Sequence, residues 1–294
     1  MRISRPALLL FLCSLIPASL SAQQSASAPA AAPTTSDPQA VALLQRSLAA
    51  LTGGAPVSDV TLTGTAHRIA GSDDETGTAT LKATAAGDSR GDFSFPSGER
   101  SEIRNHASVP LAGSLPPGVP AAAAQALQPV GAWSGPDGAI HGMASQNVMT
   151  DAAWFFPAAT LTRLLSSQGY VFSYIGPETL NGQSVTHLEI IQPFPASVNA
   201  PQQLAALVQH VSQMDLYLDP GTLLPAALAF NVHPDNNAGL DIPTDIRFSD
   251  YQPINDVQVP FHVQKYLNNG LVLDLQFSHA TVNSGLAASA FDIQ

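Results

Sequence analysis

Eight histidines, at positions 67, 106, 141, 187, 210, 233, 262 and 279, are the residues best suited to ligate a metal or relay a proton. No two of them stand four apart and no His-Glu-x-x-His occurs, so no helix presents a ligating pair through its own spacing. His187 and His262 fall on the polar side of alternating segments, and His279 falls on an apolar side but at a segment end. Asp235-Asn236-Asn237 is similar to part of a calcium loop, yet no glutamate follows at the required distance. The expectation is no metal site and no cofactor.

Nucleophilic chemistry is equally thin. Gly131-Ala132-Trp133-Ser134-Gly135 has the wrong spacing for a Gly-x-Ser-x-Gly elbow. Gly71 to Gly77 is a hairpin turn rather than a phosphate cradle, and Asp73, Asp74 and Glu75 crowd that turn, where solvation accounts for them. The only cysteine, Cys13, lies in an apolar N-terminal run, behind Phe11 and Leu12, which are too bulky for a lipidation site. No catalytic residue is predicted and the chain is expected not to be an enzyme. A secreted hydrolase, with a site assembled from distant segments, is the least favoured reading.

Those few groups sit on elements that the patterning defines. Arg2 and Arg5, an apolar run from Ala7 to Ile16 and small residues up to Ala22 form the charged, apolar and small-residue order of a signal peptide over 1–22. An Ala/Ser/Pro-rich spacer over 23–36 is read as disordered. The sequence carries 11 Lys and Arg against 22 Asp and Glu, a formal net charge of −11, with no basic run. Such a balance offers nothing to nucleic acid or to anionic headgroups, so no nucleic-acid partner is expected and any membrane contact is peripheral or transient.

The fold is expected over 37–294. Asp37-Pro38 reads as a helix start, with Val41, Leu44, Leu48 and Leu51 on one stripe and Gly53-Gly54 as the stop. Alternating segments follow around 60–66, 79–84, 92–95 and 99–105, separated by turns too short for crossover helices, so the sheet is antiparallel. Residues 107–150 form a Pro/Gly/Ala-rich excursion. Trp154, Phe155 and Phe156 precede a helix opened by Pro157, with Leu161, Leu164 and Leu165 on one side and a further short helix at about 201–211. In the last hairpin Val257, Val259, Phe261 and Val263 face one way, against Leu271, Leu273, Leu275 and Phe277; Gln258, His262, Gln264, Asp274, Gln276 and Ser278 face the other. A sheet with one dry face and one wet face follows.

This order of elements resembles the LolA/LolB/RseB-like superfamily of periplasmic lipoprotein-sorting and lipid-binding proteins. The stretches that carry the resemblance are Thr76 to Ala83, Asp92 to Gly98, Tyr217-Leu218-Asp219-Pro220 with Leu224-Pro225, Ile246 to Tyr251, Val259-Pro260-Phe261 with Gln264-Lys265-Tyr266, and Val282 to Leu286. It implies a mainly β fold: a strongly curved, incompletely closed antiparallel β-barrel, a half-barrel, with helices covering its concave face. It also implies a periplasmic, Gram-negative-type address; with Cys13 in the wrong context for lipidation, the released protein is expected not to be a lipoprotein. The expected function is a non-enzymatic carrier or binder of a lipid or lipoprotein acyl chain in an apolar cavity; the alternative is an RseB-type interaction or sensor module that docks another envelope protein. Candidate cavity residues are Phe93, Phe95, Trp154, Phe155, Phe156, Leu161, Leu165, Phe261, Leu273 and Phe277.

Overall fold

The computed structural model describes residues 35–108, 127–193 and 201–293. The expected signal segment with Cys13, the expected spacer up to residue 34 and residues 109–126 of the excursion lie outside them.

Helix α1 (Pro38–Thr52) starts where Asp37 accepts a hydrogen bond from the Gln39 N–H at 2.8 Å, and it stops at Gly53, whose φ of 60° glycine adopts without strain. Its stripe of Ala40, Leu44 and Leu51 is buried. Thirteen strands then form a single sheet: β1 (Asp59–Ala70), β2 (Asp73–Thr84), β3 (Ser89–Phe95), β4 (Gly98–Ser108), β5 (Leu127–Ser134), β6 (Ile140–Gly142), β7 (Val171–Leu180), β8 (Gln183–Ile191), β9 (Met214–Leu218), β10 (Pro225–Val232), β11 (Ile242–Ile254), β12 (Val257–Leu267) and β13 (Gly270–Val282). Their spatial order is β6-β5-β4-β3-β2-β1-β13-β12-β11-β10-β9-β8-β7, with antiparallel pairing throughout. β6 and β7 do not pair with each other, so the sheet is an open, curved half-barrel rather than a closed one.

Two glycines show where the backbone bends. A Cβ on Gly64 would stand 2.1 Å from the Gln276 carbonyl oxygen, at the point where the β1–β13 register shifts, and one on Gly77 would stand 2.0 Å from the Ser94 carbonyl oxygen. Glycine in a strand permits such an approach, and a bulge beside it adds bend. Part of the Pro/Gly/Ala-rich stretch is also sheet. β5 is a strand because its backbone pairs along β4 from Ser101–Ser134 to Ser108–Leu127, which outweighs the poor β propensity of its own residues.

Two helices cover the concave face. α1 lies against α2 (Pro157–Ser166), β7 and β12, and α2 also touches β12. Between them and the sheet sits one core containing Leu44, Leu62, Leu81, Phe156, Leu161, Leu188, Val259 and Leu275. The third helix, α3 (Gln202–Ser212), is attached mainly by its C-terminal end, where Val211 and Ser212 are buried while Leu204 and Leu207 stay exposed. No helix of the described residues is long and apolar enough to cross a membrane.

A buried ion pair fixes the segment entering α2. Asp151 is fully buried. Its Oδ1 accepts from the Ala153 N–H at 2.7 Å and the Thr160 hydroxyl at 3.0 Å, and its Oδ2 meets Arg163 Nε at 2.8 Å and Nη2 at 2.6 Å. Arg163 also donates from Nη1 to the Tyr170 hydroxyl at 2.6 Å. Burial works against the Arg163 charge, but Asp151 beside it prevails and lifts its pKa above the ordinary arginine value. With every oxygen satisfied the pair holds Trp154, Phe155 and Phe156 over the sheet. Removing one partner leaves the other buried and uncompensated, at a cost of about 3–5 kcal/mol. Asp151→Ala should therefore lower the unfolding free energy in urea by about that amount, and Asp151→Leu combined with Arg163→Met should restore most of it. Equal losses in the single and double variants would show that packing, not the pair, holds this segment.

Candidate functional site

Each strand carries its inward row toward the same end of the half-barrel, and there the character of the row changes. In β12 the buried Val257, Val259, Phe261 and Val263 are followed on the same side by Lys265 and Leu267. In β13 the buried Phe277 and Leu275 lead to the half-buried Leu273 and Leu271. β1 runs from Val60 and Leu62 through Ala66 to Arg68, and β4 presents Arg104, Glu102 and Arg100 while Ile103 is buried on the other parity.

At this end α1 and α2 no longer cover the sheet, and a cavity of about 620 Å³ opens. Its apolar wall is made by Phe93 and Phe95 of β3, Trp133 of β5, Leu267 of β12, and Leu271 and Leu273 of β13, with Ile69 at the β1 tip. Phe93 and Phe95 lie with ring centroids 6.1 Å apart and planes 5° from parallel. The volume falls within the range of about 300–1,000 Å³ typical of small-molecule sites, which are likewise mostly apolar with a few placed polar groups.

Those polar groups are three cations and one carboxylate: Arg68, Arg100, Lys265 and Glu102. Arg68 is engaged by Glu75 at 3.0 Å and Asp73 at 3.4 Å. Arg100 donates from Nη2 to the Ser97 hydroxyl at 3.2 Å, and its Nε is buried without a hydrogen-bond partner among the described residues. Burial pushes the Glu102 carboxyl up, but Lys265 and Arg104 together outweigh it and hold its pKa below the usual glutamate value. Arg104 Nε stands 3.3 Å from Glu102 Oε1, an ion-pair distance without hydrogen-bond alignment. Burial depresses the Lys265 pKa, Glu102 opposes that shift and Arg104 adds to it. Lys265 Nζ also sits 4.9 Å above the Trp154 ring, where the aromatic face favours a cation. Ser101 and Ser134 bond to each other through their hydroxyls at 2.8 Å, and among the described residues no histidine lines the cavity to activate either. The arrangement suits holding an apolar chain with an anionic end, and it contains no assembled nucleophile.

Of the aromatic and aliphatic residues picked out from the sequence, Phe93, Phe95 and Leu273 line the cavity. Trp154 and Phe155, edge to face with centroids 5.4 Å apart, lie beneath it and share a small recess with Phe93 and Glu102. Phe156, Leu161, Phe261 and Phe277 are packed in the core, and Leu165 is half-buried against it. Sequence reasoning did not place Trp133, Leu267, Leu271, Arg68, Arg100, Glu102 or Lys265 among the cavity candidates, although Leu271 reads on the dry face of the last hairpin. Lys265 had a signal: it continues the parity of Val259, Phe261 and Val263.

No family model and no curated protein matches the chain. Among solved structures it is similar to a domain from Vibrio parahaemolyticus provisionally named for outer-membrane lipoprotein sorting, at 14% identity and a TM-score of 0.49, covering 86% of this chain and 96% of that one. It is also similar to a DUF1329 family protein from Desulfovibrio piger, at 12% identity and a TM-score of 0.48, covering 88% and 98%. A LolA superfamily protein from Nitrosomonas europaea matches at 11% identity and a TM-score of 0.46, covering 86% and 97%.

The chain has 2 tryptophans, which makes the site readable by fluorescence. Trp133 is 45% exposed on the cavity wall, and Trp154 is buried. Trp133→Phe should shift the emission maximum to shorter wavelength and remove most of the acrylamide quenching, whereas Trp154→Phe should do the reverse. Identical quenching in the two variants would contradict this placement.

Proposed function

We propose that this protein is an exported, non-enzymatic binder or carrier of a lipid or a protein-bound acyl chain in the envelope, with the chain lying in the cavity at the end of the half-barrel. The observation that carries this reading is the continuity of the sheet's dry face into an open cavity walled by Phe93, Phe95, Trp133, Leu267, Leu271 and Leu273. Removing a methylene from water is worth about 0.8 kcal/mol. Ten methylenes thus supply about 8 kcal/mol, close to the free energy of a micromolar complex, before the cost of association is subtracted. A long acyl chain is therefore the natural scale of ligand. Arg100 and Lys265 stand where a carboxylate or phosphate head would leave the apolar wall. Export and release outside the cytoplasm belong to the same reading and are supported by the Arg2-to-Ala22 pattern.

The test uses the chain from Gln23 onward and the probe nile red. Fluorescence should rise saturably at one probe per chain, and a saturated long-chain fatty acid should displace the probe. Leu273→Glu, which puts a charge on the apolar wall, should weaken probe binding at least tenfold, on the order of the 1.4 kcal/mol or more expected for such a change. Absence of saturable binding would overturn the carrier reading. Undiminished binding by Leu273→Glu would move the ligand elsewhere. Recovery from envelope extract of one defined protein with no lipid would favour the docking module instead.

A further inference from the structure

At the β10–β11 connection, one strand over from the cavity strand β12, three groups able to ligate a metal meet at one point. His210 lies in the last turn of α3, His233 directly follows β10, and Asp241 directly precedes β11. Val232 and Ile242 are register partners, so the sheet itself brings His233 and Asp241 to the base of one connection. We propose that His210, His233 and Asp241 form a binding site for a divalent transition-metal ion of the zinc class, which pins the C-terminal end of α3 to the β10–β11 connection.

The geometry is that of a zinc site before the ion. Two donors each about 2.0–2.1 Å from a tetrahedral zinc stand about 3.4 Å from each other. Asp241 Oδ1 is 2.9 Å from His210 Nε2 and 3.5 Å from His233 Nδ1. One ligand atom from each of the three residues falls within 4.8 Å of the others. Two imidazoles and one carboxylate suit zinc and its neighbours in the transition series better than magnesium or calcium, which favour all-oxygen shells. Three protein donors leave a fourth position, and the half-exposed His210 and Asp241 leave it open to water.

The middle ligand is also held in place. His233 is buried, and Asn147 clasps its backbone from both sides: the His233 N–H donates to Asn147 Oδ1 at 2.8 Å, and Asn147 Nδ2 donates to the His233 carbonyl at 2.8 Å. Gln146 Nε2 donates to the next two carbonyls, of Pro234 at 3.0 Å and Asp235 at 3.1 Å. His233 Nδ1 is the ring atom that faces Asp241; without an ion it also donates to the Leu240 carbonyl at 3.2 Å, a bond that a metal at Nδ1 displaces, while Nε2 is buried without a hydrogen-bond partner among the described residues. A lone histidine–aspartate hydrogen bond does not require a second imidazole against the same oxygen, nor a doubly clasped backbone beneath it. α3 gains most from an ion, because it buries little of its own apolar stripe.

Isothermal titration of ZnCl2 into the chain from Gln23 onward, stripped of metal beforehand, should give one saturable site per chain. The melting temperature should rise by about 5 °C at a hundredfold excess over the dissociation constant. His210→Ala and Asp241→Asn are half-exposed changes that leave the fold intact by circular dichroism, and each should weaken zinc binding at least tenfold. With Co2+ in place of zinc, the wild type should show the visible bands of a tetrahedral ion and both variants should lose them. His67→Ala, in a histidine–aspartate pair of its own, should keep full affinity. No saturable site in the wild type, or equal affinity in His210→Ala and the wild type, would overturn the proposal. Lipid-probe binding is read separately, so either function can fail without the other.

Discussion

An antiparallel sheet of thirteen strands that does not close leaves one apolar face that water must not see. A closed barrel would solve this by turning the face inward, and a second sheet would solve it by packing on top. Among the described residues two short helices cover it instead, and they leave part of it bare. α1 and α2 seal the part of the concave face that carries Val60, Leu62, Leu188, Val259 and Leu275, and the loop carrying Trp154 to Phe156 extends that seal. Beyond it the rows of β3, β12 and β13 run on as Phe93, Leu267 and Leu271 with nothing of the described chain above them. The cavity is thus a consequence of sheet area exceeding helix area.

Charge at the lip of that cavity follows from the same constraint. Lys265 and Glu102 occupy inward positions that apolar residues would fill more cheaply, since taking an ion out of water costs several kcal/mol unless a partner compensates. Here the compensation is mutual: Lys265 and Arg104 hold Glu102 ionised, Glu102 eases the desolvated Lys265, and the Trp154 ring faces the ammonium. Two cations against one carboxylate leave a positive balance inside a low-dielectric wall. Such a balance is costly for an empty core and useful for an anionic headgroup.

Local chemistry made the elements legible. The Asp37-Pro38 start and Gly53 stop of α1, the Pro157 start of α2 and the alternation through Val257 to Val263 all act within a few residues, so the chain itself declares them. The site was less legible because its residues are defined by what faces them. Phe156 and Phe93 read alike in a sequence, yet one sits under α1 and α2 and the other beyond them. β5 was hidden among prolines and glycines because its strand character comes from β4 rather than from its own residues. His210, His233 and Asp241 lie on three separate elements and form no spaced motif; only the β10–β11 register and the seating of α3 bring them together.

The segment after the edge strand β6 is joined to the other half of the sheet by side chains. The chain leaving β6, the last strand on one side, passes through a short 3-10 turn at Ser145–Asn147 that packs against α3 and clasps the connection after β10 through Gln146 and Asn147. A few residues later the Asp151 N–H points to the Met214 sulfur of β9 at 3.3 Å. Two distant regions of one sheet are thereby tied through neutral hydrogen bonds, each worth about 1 kcal/mol net. A strand ladder between the edge strands β6 and β7 would instead close the barrel. These weak, local ties sit at the β10–β11 connection, at the same end of the sheet as Leu267. They also explain why a metal-ligating cluster belongs at this place: His233 is both the clasped residue and a ligand, so an ion bound there strengthens the joint without adding a strand.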